Sequence, residues 1–478
     1  MKSGYIAILI WVVIALLGAI SWCIPEGGLQ LGGWTLRWPT LSEVLEIDNG
    51  IDSTTNILDT TWIADIVESE AVEEISIDTQ AKGIQPLEPK YYLFDSVDLK
   101  ANNAQEVSTQ AFSNSDTRQY LASFYQALDS SSIASIRVVH YGDSQIEEDR
   151  ITDILRQYLQ EKYGGGGVGL LPLHQTIPTR SIRQWITING VKQSSKEGPK
   201  RHLIYGPKSM RQDVDTYGVM GQVAEMDNNL VEGSEDITMY IETIGKKQDA
   251  HARFYQLRLV AENIRWQVVT DDSIIECKSD ISNLPNYTNS CEIHLQGKGR
   301  VYGISLETPT GVLVDNIPMR GCSGTIFTRI NSAQLSDYYN QTNTRLIILQ
   351  YGGNMIPQTN NKTTIDGYVK NLRKQVRYLR NCAPYASILF IGPSDMSTRM
   401  DGEMTTYPMV PYLDKALEKM AAEEHVAYWS MYHAMGGKES MVRWVESGLA
   451  GSDYVHFTRT GANKIGKKLT EWIEQGMN

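Results

Sequence analysis

Two stretches of this chain, residues 117–180 and 311–478, alternate short apolar runs with amphipathic segments. The runs have the length and composition of buried strands and include residues 136–141, 346–351, 386–391 and 426–431. The segments between them have helical periodicity and include residues 117–128, 145–162, 365–380, 411–424 and 460–475. Such alternation predicts an α/β domain in which a parallel sheet lies between two layers of helices.

Gly142, Asp143 and Ser144 follow directly after the apolar run 136–141. The pattern therefore places Ser144 at the turn from a strand into the helix predicted over residues 145–162. In open α/β sheets the functional crevice lies outside the carboxyl ends of the strands, and a helix that begins there directs backbone N–H groups toward negative charge. The tripeptide alone is typical of an ordinary turn, but this position suits a nucleophile.

Asp453 and His456 lie three residues apart on the loop before the predicted C-terminal helix. A serine hydroxyl is a weak nucleophile near neutral pH, so an imidazole must accept its proton while a carboxylate fixes the tautomer of the ring. Ser144, His456 and Asp453 supply these three groups at the expected boundaries, which indicates an ester-cleaving serine site. Asp395, which follows another strand, is an alternative acid, but the fixed spacing to His456 favours Asp453.

Two further segments are candidates for the hydrogen-bond donors that stabilise the oxyanion in acyl transfer. Asn354 follows the apolar run 346–351 and is therefore predicted at the same edge of the sheet as Ser144. Gly324 lies in the small-residue turn 319–325, where the lack of a side chain leaves its backbone N–H accessible. A plain loop explains Gly324 equally well when that residue is considered alone.

Four motifs occur in a recognisable order: Gly-Asp-Ser at 142–144, Gly-x-Ser-Gly at 321–324, Gly-x-Asn at 352–354 and Asp-x-x-His at 453–456. This order resembles the four sequence blocks of the SGNH (GDSL-type) hydrolases, and the resemblance extends from residue 135 onward. Gln145 stands where many members have leucine. A long segment separates the first block from the second, whereas simple members place these blocks close together.

The resemblance implies a three-layer, flavodoxin-like fold and a role for each matched residue. It implies Ser144 as the nucleophile, His456 as the base and Asp453 as the acid that orients the base. The implied oxyanion hole consists of Ser144, Gly324 and Asn354. The catalytic domain would then comprise residues 117–180 and 311–478.

The segment between the first two blocks, residues 181–310, has a different pattern. Short runs such as 237–241, 254–260 and 264–269 are separated by Gly, Asn and Asp turns, which predicts antiparallel strands and an inserted β-sandwich of jelly-roll type. A similar insert is found in bacterial peptidoglycan O-acetylesterases, whose inserted module resembles carbohydrate-binding domains. This resemblance implies an O-acetylated polysaccharide as the substrate.

Several aromatic residues of the insert are candidates for stacking on sugar rings. They are Trp185, Tyr205, Tyr217, Tyr240, Tyr255 and Trp266. Aromatic residues in strands more often belong to a hydrophobic core, so the sequence assigns no sugar site among them.

Residues 5–24 are almost uninterrupted apolar positions preceded by Lys2, a stretch long enough to span a bilayer. A cleaved signal peptide is the alternative. The bulky Trp22 before Cys23 makes a poor lipoprotein cleavage site, however, which favours a retained transmembrane anchor over residues 1–26. The basic residue before the span and the acidic residues beyond it predict an enzyme anchored in the inner membrane of a bacterial cell envelope, with its catalytic domain in the periplasm.

Residues 27–116 are rich in Asp, Glu, Ser and Thr and contain few large apolar residues. This composition predicts an acidic flexible linker with one docked strand near residues 91–94. The formal net charge of −12 argues against a nucleic-acid partner, and the sequence identifies no protein partner.

The cysteines and histidines show no metal-ligand spacing, so neither a metal nor another cofactor is expected. Cys277 and Cys291 are separated as in a hairpin, which leaves a disulfide between them open. The glycine run 164–167 lacks the Lys-Ser/Thr of a phosphate-binding loop and is interpreted as a mobile connection near the active site.

These observations predict a membrane-tethered carbohydrate esterase that transfers an acetyl group to Ser144 and then to water. Two alternatives stay open. An O-acetyltransferase would use the same residues with a sugar hydroxyl as the acceptor, and would differ in how well its pocket excludes water. The second alternative is a non-catalytic glycan-binding scaffold, which the intact Ser144, Asp453 and His456 argue against.

Overall fold

The computed structural model of this chain describes residues 29–31, 34–36, 116–175, 177–193, 198–206, 216–226, 237–246 and 248–477. The anchor predicted over residues 1–26 and the strand predicted near residues 91–94 lie outside these residues. Within the predicted linker 27–116, two short strands near the N-terminus pair with each other in antiparallel register. Among the described residues, no helix is long and apolar enough to cross a bilayer.

The strands of the described residues are, in chain order, β1 (Leu29–Leu31), β2 (Trp34–Leu36), β3 (Ser135–Gly142), β4 (Gly169–Leu171), β5 (Ile182–Ile188), β6 (Val191–Lys192), β7 (Lys200–Leu203), β8 (Gln222–Met226), β9 (Ile237–Thr243), β10 (Phe254–Glu262), β11 (Arg265–Thr270), β12 (Ser273–Cys277), β13 (Ile281–Thr288), β14 (Ser290–Gln296), β15 (Gly299–Glu307), β16 (Gly311–Pro318), β17 (Thr344–Gln350), β18 (Ser387–Ile391), β19 (Ser397–Met400), β20 (Glu403–Thr406) and β21 (Ala427–Trp429). The α-helices of the same residues are α1 (Ala122–Leu128), α2 (Thr152–Tyr163), α3 (Ser332–Gln341), α4 (Lys362–Cys382), α5 (Val410–Glu423), α6 (Met431–Met435), α7 (Ser440–Glu446) and α8 (Arg459–Glu474).

The apolar runs outside the insert form one parallel sheet. Its order among the described strands is β16-β3-β17-β18-β21, and each of these pairings is parallel. One face of the sheet shares an apolar core with α1, α2 and α8. On the other face α3 contacts β17, and α4 contacts α5. This arrangement confirms the predicted α/β domain with a central parallel sheet, because buried strands of this kind need helices on both faces.

The helix predicted to begin directly after Ser144 is wrong. The segment Ser144–Asp149 is instead a 3-10 turn in which Glu148 and Asp149 have φ values of 59° and 62°. The reason is a buried ion pair: both carboxylate oxygens of Asp149 accept hydrogen bonds from the Arg156 guanidinium on α2. This tertiary contact holds the left-handed turn, so α2 begins only beyond it, at Thr152.

The insert consists of two antiparallel sheets that pack face to face. Among the described strands, the first sheet has the order β13-β10-β15-β8-β7 with β4 beside β15, and the second has the order β12-β11-β14-β9-β5-β6. Residues of both sheets form one apolar core. Since β4 pairs with β15, the antiparallel pairing begins before residue 181, where the sequence placed the boundary.

The aromatic candidates for sugar stacking are largely engaged within the protein. Trp266 and Tyr217 are buried. Trp185 stacks on Tyr240 with ring centroids 5.1 Å apart, and the Lys192 ammonium lies 5.1 Å from the centroid of the Trp185 ring. The Trp185 ring thus already contacts an aromatic ring and a cation within the protein.

The glycine run 164–167 does not lie near the active site, contrary to the sequence interpretation. The Gly164 carbonyl accepts the Val312 N–H at 2.9 Å, which places the run beside the beginning of β16, at the edge of the sheet opposite Ser144. Gly165 has φ +110°, and a Cβ added there would lie 2.3 Å from the Val312 carbonyl oxygen. Only glycine permits this close approach of two backbone segments.

Cys277 and Cys291 do not form a disulfide, and both thiols are free. They lie on β12 and β14, the two strands that flank β11. Two strand spacings alone amount to roughly 9–10 Å, and the register adds an offset of four residues along the strands, because Trp266 pairs with both Cys277 and Leu295. The separation therefore exceeds the Cα distance of about 7 Å that a disulfide tolerates.

A buried ionic cluster joins the sandwich to the parallel sheet. Arg137 on β3 is fully buried and donates to Asp315 on β16 at 2.5 Å and to Glu307 on β15. Arg258 on β10 donates to the same Glu307 at 3.1 Å, and the Tyr338 hydroxyl donates to Asp315 at 2.8 Å. Burial alone would lower the pKa of Arg137, but Asp315, Tyr338 and Glu307 together raise it, so the guanidinium stays charged.

Replacing Arg137 by methionine is expected to lower the free energy of unfolding by about 3–5 kcal/mol, because it leaves two buried carboxylates without their central cation. Urea unfolding measures this change. The matched control is Arg183→Met, since the Arg183–Glu242 pair is on the surface, with the Arg183 side chain 63% exposed. Loss of such a pair costs less than about 1 kcal/mol. Equal effects of the two substitutions would contradict a stabilising role for the buried cluster.

Candidate active site

The carboxyl ends of β3, β16 and β17 meet at one edge of the sheet, because β16 and β17 both pair with β3 in parallel. Ser144 follows β3, Gly324 follows β16 and Asn354 follows β17. The Met319 N–H donates to the Gly142 carbonyl at 2.7 Å, which holds the turn after β16 beside the turn after β3. Three of the residues singled out from the sequence therefore lie at the same edge.

Ser144, His456 and Asp453 form a continuous chain of hydrogen bonds. Ser144 Oγ lies 2.8 Å from His456 Nε2, and His456 Nδ1 lies 2.7 Å from Asp453 Oδ2. The other carboxylate oxygen of Asp453 accepts the backbone N–H groups of Val455 and His456, each at 3.0 Å. This geometry suits removal of the serine proton by the imidazole and stabilisation of the resulting imidazolium by the carboxylate.

The hydrogen bonds around Asp453 keep its carboxylate ionised. Burial would raise the pKa of Asp453, but the His456 ring and the N–H groups of Val455 and His456 outweigh burial and lower this pKa to about 2. An unfolded aspartate has a pKa of about 3.9. The stabilisation that ionised Asp453 contributes is therefore complete above about pH 4 and is lost as the pH falls toward 2.

Asp143 is a second carboxylate at the site and is almost fully buried. Its Oδ1 accepts the Gln145 N–H at 3.0 Å, and its Oδ2 accepts the Asn354 side-chain amide at 3.2 Å. Burial raises the pKa of Asp143 to about 6, although the Gln145 N–H and the nearby His456 oppose this shift. Because the native state holds this proton more tightly than the unfolded state does, the contribution of Asp143 to stability falls as the pH rises from about 4 to 6.

The residues predicted for the oxyanion hole lie close together, but the donors of Asn354 and Gly324 have acceptors within the protein. Asn354 Nδ2 lies 3.1 Å from the Cys322 carbonyl oxygen and 3.2 Å from Asp143 Oδ2. The Gly324 N–H donates to Cys322 Sγ at 3.3 Å. A thiol is a weak acceptor, so an oxyanion would replace it readily. The oxyanion role of Ser144, Gly324 and Asn354 stays a prediction.

Two contacts between the loops of this site escaped the sequence reasoning. The Gln145 side-chain amide donates to the Val455 carbonyl at 2.6 Å. The buried Glu147 accepts two hydrogen bonds from the Arg320 guanidinium, at 2.8 and 2.6 Å, which joins the turn after Ser144 to the turn after β16. For the second contact the sequence offered one signal, the opposite charges of Glu147 and Arg320 beside the first two blocks. Periodicity gives no signal for the first.

Two other titratable residues near this edge have structural roles. Asp395, the alternative acid, accepts the Met441 N–H at 2.8 Å and the Ser440 hydroxyl at 3.3 Å, and so caps α7. His140 on β3 is fully buried and contacts Gln350 Oε1 at 3.2 Å; burial lowers the pKa of His140 to about 4, which keeps the ring neutral.

Within the described residues, no group of three or more His, Cys, Asp or Glu side chains is placed to hold a metal ion.

Comparisons with known proteins match three of the four blocks, all but the one that contains Ser144, and they match the fold. The sequence model of the GDSL-like lipase/acylhydrolase family matches residues 279–464, less than half of the chain, and this range includes Asn354, Asp453 and His456. A solved structure of a peptidoglycan O-acetylesterase has a TM-score of 0.58 at 20% identity and covers 76% of this chain and 98% of its own. No curated protein sequence matches the chain.

Other solved structures align over a smaller part of the chain. A lipolytic G-D-S-L family protein from Veillonella parvula covers 34% of this chain and 79% of its own, at 19% identity and a TM-score of 0.25. A carbohydrate acetylesterase from Sinorhizobium meliloti covers 34% and 77%, at 13% identity and a TM-score of 0.24. The fold comparison therefore depends on the peptidoglycan O-acetylesterase. That comparison supports the predicted fold. The match to the family model confirms the resemblance to the GDSL-type hydrolases and the prediction of a carboxylic ester hydrolase.

Proposed function

We propose that this chain is a serine esterase that removes O-acetyl groups from a glycan, either peptidoglycan or another polysaccharide. The observation that carries the proposal is the relay from Ser144 through His456 to Asp453, with distances of 2.8 and 2.7 Å. The relay lies at the carboxyl edge of the parallel sheet, where α/β proteins bind their ligands.

In the proposed reaction, Ser144 Oγ attacks the acetyl carbonyl carbon while His456 Nε2 accepts the hydroxyl proton. The carbonyl oxygen becomes an oxyanion, which the N–H groups of Ser144 and Gly324 and the Asn354 amide would stabilise. As this intermediate collapses, His456 returns the proton to the sugar oxygen, and the acetyl group stays on the serine. Water then attacks the carbonyl carbon of the acetyl-enzyme while His456 accepts a proton from it. The bond to Ser144 Oγ breaks, His456 returns the proton to that oxygen, and acetate leaves.

The exposure of the relay favours hydrolysis over transfer to a sugar. The side chains of His456 and Asp453 are 39% and 51% exposed. Transfer requires that water be kept from the acetyl-enzyme while the acceptor sugar binds. An imidazole that is open to solvent activates water instead, so esterase activity is the proposed function and O-acetyltransferase activity is an outcome that the test distinguishes.

The proposal of an O-acetylated glycan as substrate is supported by the architecture. The peptidoglycan O-acetylesterase structure aligns with 76% of this chain, which is more than the parallel-sheet domain alone. The glycan is not assigned to Trp185, because its ring already contacts Tyr240 and Lys192.

The proposed setting is the bacterial cell envelope, with residues 1–26 in the inner membrane and the enzyme in the periplasm. The support is the apolar run 5–24 preceded by Lys2. Membrane fractionation of cells that produce the full chain tests this setting. Recovery of the full chain in the soluble fraction, as for a chain that begins at residue 27, would contradict it.

Acetate release tests the enzymatic proposal. The full chain in detergent is incubated with O-acetylated peptidoglycan and with other O-acetylated polysaccharides, and acetate is measured. The matched control is the same peptidoglycan after mild alkali, which removes O-acetyl esters and leaves N-acetyl amides. We expect acetate from at least one esterified polymer and none from the control. Acetylation of the sugar when an acyl donor is added, without acetate release, would indicate the transferase instead.

A further inference from the structure

Gln145 directs its side chain from the nucleophile turn to the loop that carries His456. The side chain is almost fully buried, at 7% exposure. Its Nε2 donates to the Val455 carbonyl at 2.6 Å and lies 3.5 Å from Ser394 Oγ. The amide of the residue next to Ser144 thus connects the two loops that supply the nucleophile and the base.

The contact with Val455 fixes the backbone directly before the imidazole. The Val455 N–H donates to Asp453 and its carbonyl accepts from Gln145, so the residue is held at both ends. Burial alone does not fix this loop, because the side chains of Asp453 and His456 are 51% and 39% exposed. Displacement of a catalytic group by about 1 Å can cost about 100-fold in rate.

We propose that Gln145 is a positioning residue that keeps His456 Nε2 within hydrogen-bond distance of Ser144 by holding the Val455 carbonyl. This inference rests on the proposed function of the site. The leucine that many SGNH hydrolases have at this position fills space but cannot donate a hydrogen bond. This chain therefore uses a polar connection between its catalytic loops.

Kinetics on a soluble ester, p-nitrophenyl acetate, test the role of Gln145. In Gln145→Leu we expect kcat to fall about 10- to 100-fold and KM to stay within twofold, because the side chain acts through His456 rather than on the substrate. The matched control is Gln160→Leu. Gln160 is also buried, and its amide donates to two carbonyls, of Gly167 and Val312, at the opposite edge of the sheet. This control should lower stability and leave kcat unchanged.

The substitution Gln145→Glu adds a readout that a merely structural role would not change. A protonated glutamic acid can donate to the Val455 carbonyl, whereas the carboxylate faces that oxygen without a proton. The kcat of Gln145→Glu relative to the parent chain should therefore rise several-fold as the pH falls from 8 to 5. The kcat of Gln145→Leu relative to the parent chain should not change over this pH range. The titratable groups around this position, which both variants keep, are Asp143, Glu147, Asp453 and His456.

Parental kcat in Gln145→Leu would overturn the positioning role. The positioning role would also be overturned if the kcat of Gln145→Glu and the kcat of Gln145→Leu, each divided by the kcat of the parent chain, were equal and did not change with pH. Failure of the proposed function looks different, because the parent chain itself would then release no p-nitrophenol. The two proposals can therefore fail separately.

Discussion

Replacing Ser144 by alanine is expected to lower kcat for ester hydrolysis by a factor of about 10³ or more, because the alanine side chain has no oxygen to form the acetyl-enzyme. The serine hydroxyl is the reacting end of a relay whose next atom, His456 Nε2, is 2.8 Å away. Acetate release from an O-acetylated polysaccharide and p-nitrophenol release from the soluble ester measure the loss. Mass spectrometry during turnover should detect an acetyl group on Ser144 in the parent chain.

The matched control for this substitution is Ser132→Ala. Ser132 is exposed and precedes β3, so it lies at the opposite edge of the sheet from Ser144. Its loss should leave both activities unchanged. Substantial acetate release by Ser144→Ala, at the rate of the parent chain, would show that another group carries the reaction.

Replacing Asp453 by asparagine is expected to lower kcat by about 10²- to 10⁴-fold, because an amide neither fixes the reactive tautomer of His456 nor stabilises its protonated form. The lowered pKa of Asp453, about 2, sets the pH dependence of this deficit. The carboxylate is ionised above about pH 5, so its own titration adds no pH dependence to the ratio of variant to parent kcat, and the deficit should persist at pH 8. Steady-state kinetics on the soluble ester over this range measure both features.

Asp272→Asn is the control for the Asp453 substitution, since Asp272 is exposed in the turn between β11 and β12 of the sandwich. It removes the same charge without touching the site. A deficit in Asp453→Asn that disappears at pH 8 would contradict the assignment of Asp453 as the ionised partner of His456.

Much of the α/β domain could be predicted from the sequence, because the strands of its parallel sheet are buried on both faces and therefore appear as uninterrupted apolar runs. The prediction for residues 136–141 became β3, Ser135–Gly142, and the prediction for residues 365–380 became α4, Lys362–Cys382. The helix α3 was missed although its signals are present. Asn331 caps its N-terminus, and Leu335, Tyr338 and Tyr339 form its buried face.

The errors in the fold have tertiary causes. Residues 145–162 have an apolar helical period, but the buried Arg156–Asp149 pair forces a left-handed turn before α2 can begin. The glycine run 164–167 reads as a flexible connection, whereas its glycines permit close backbone contact with β16. Neither the ion pair nor the backbone contact can be read from local periodicity, because both partners come together only in the folded chain.

The candidate site was predictable to the extent that its geometry is local. Asp453 and His456 lie on one loop, so their spacing in sequence already implies contact. The meeting of this loop with Ser144 was predicted from the occurrence of both motifs in one chain, in the order of the SGNH blocks. The link from Gln145 to Val455 was not predictable, because it depends on the exact path of two loops that are distant in the chain.

The strands β3 and β16 are neighbours in the sheet, yet the entire sandwich lies between them in the chain. During synthesis, the nucleophile turn therefore leaves the ribosome well before the strand that must flank it. The base arrives later still, on the loop before α8. Contacts this distant in sequence form slowly. A nascent chain would consequently be inert toward esters until the loop that carries His456 has been synthesised and has met Ser144.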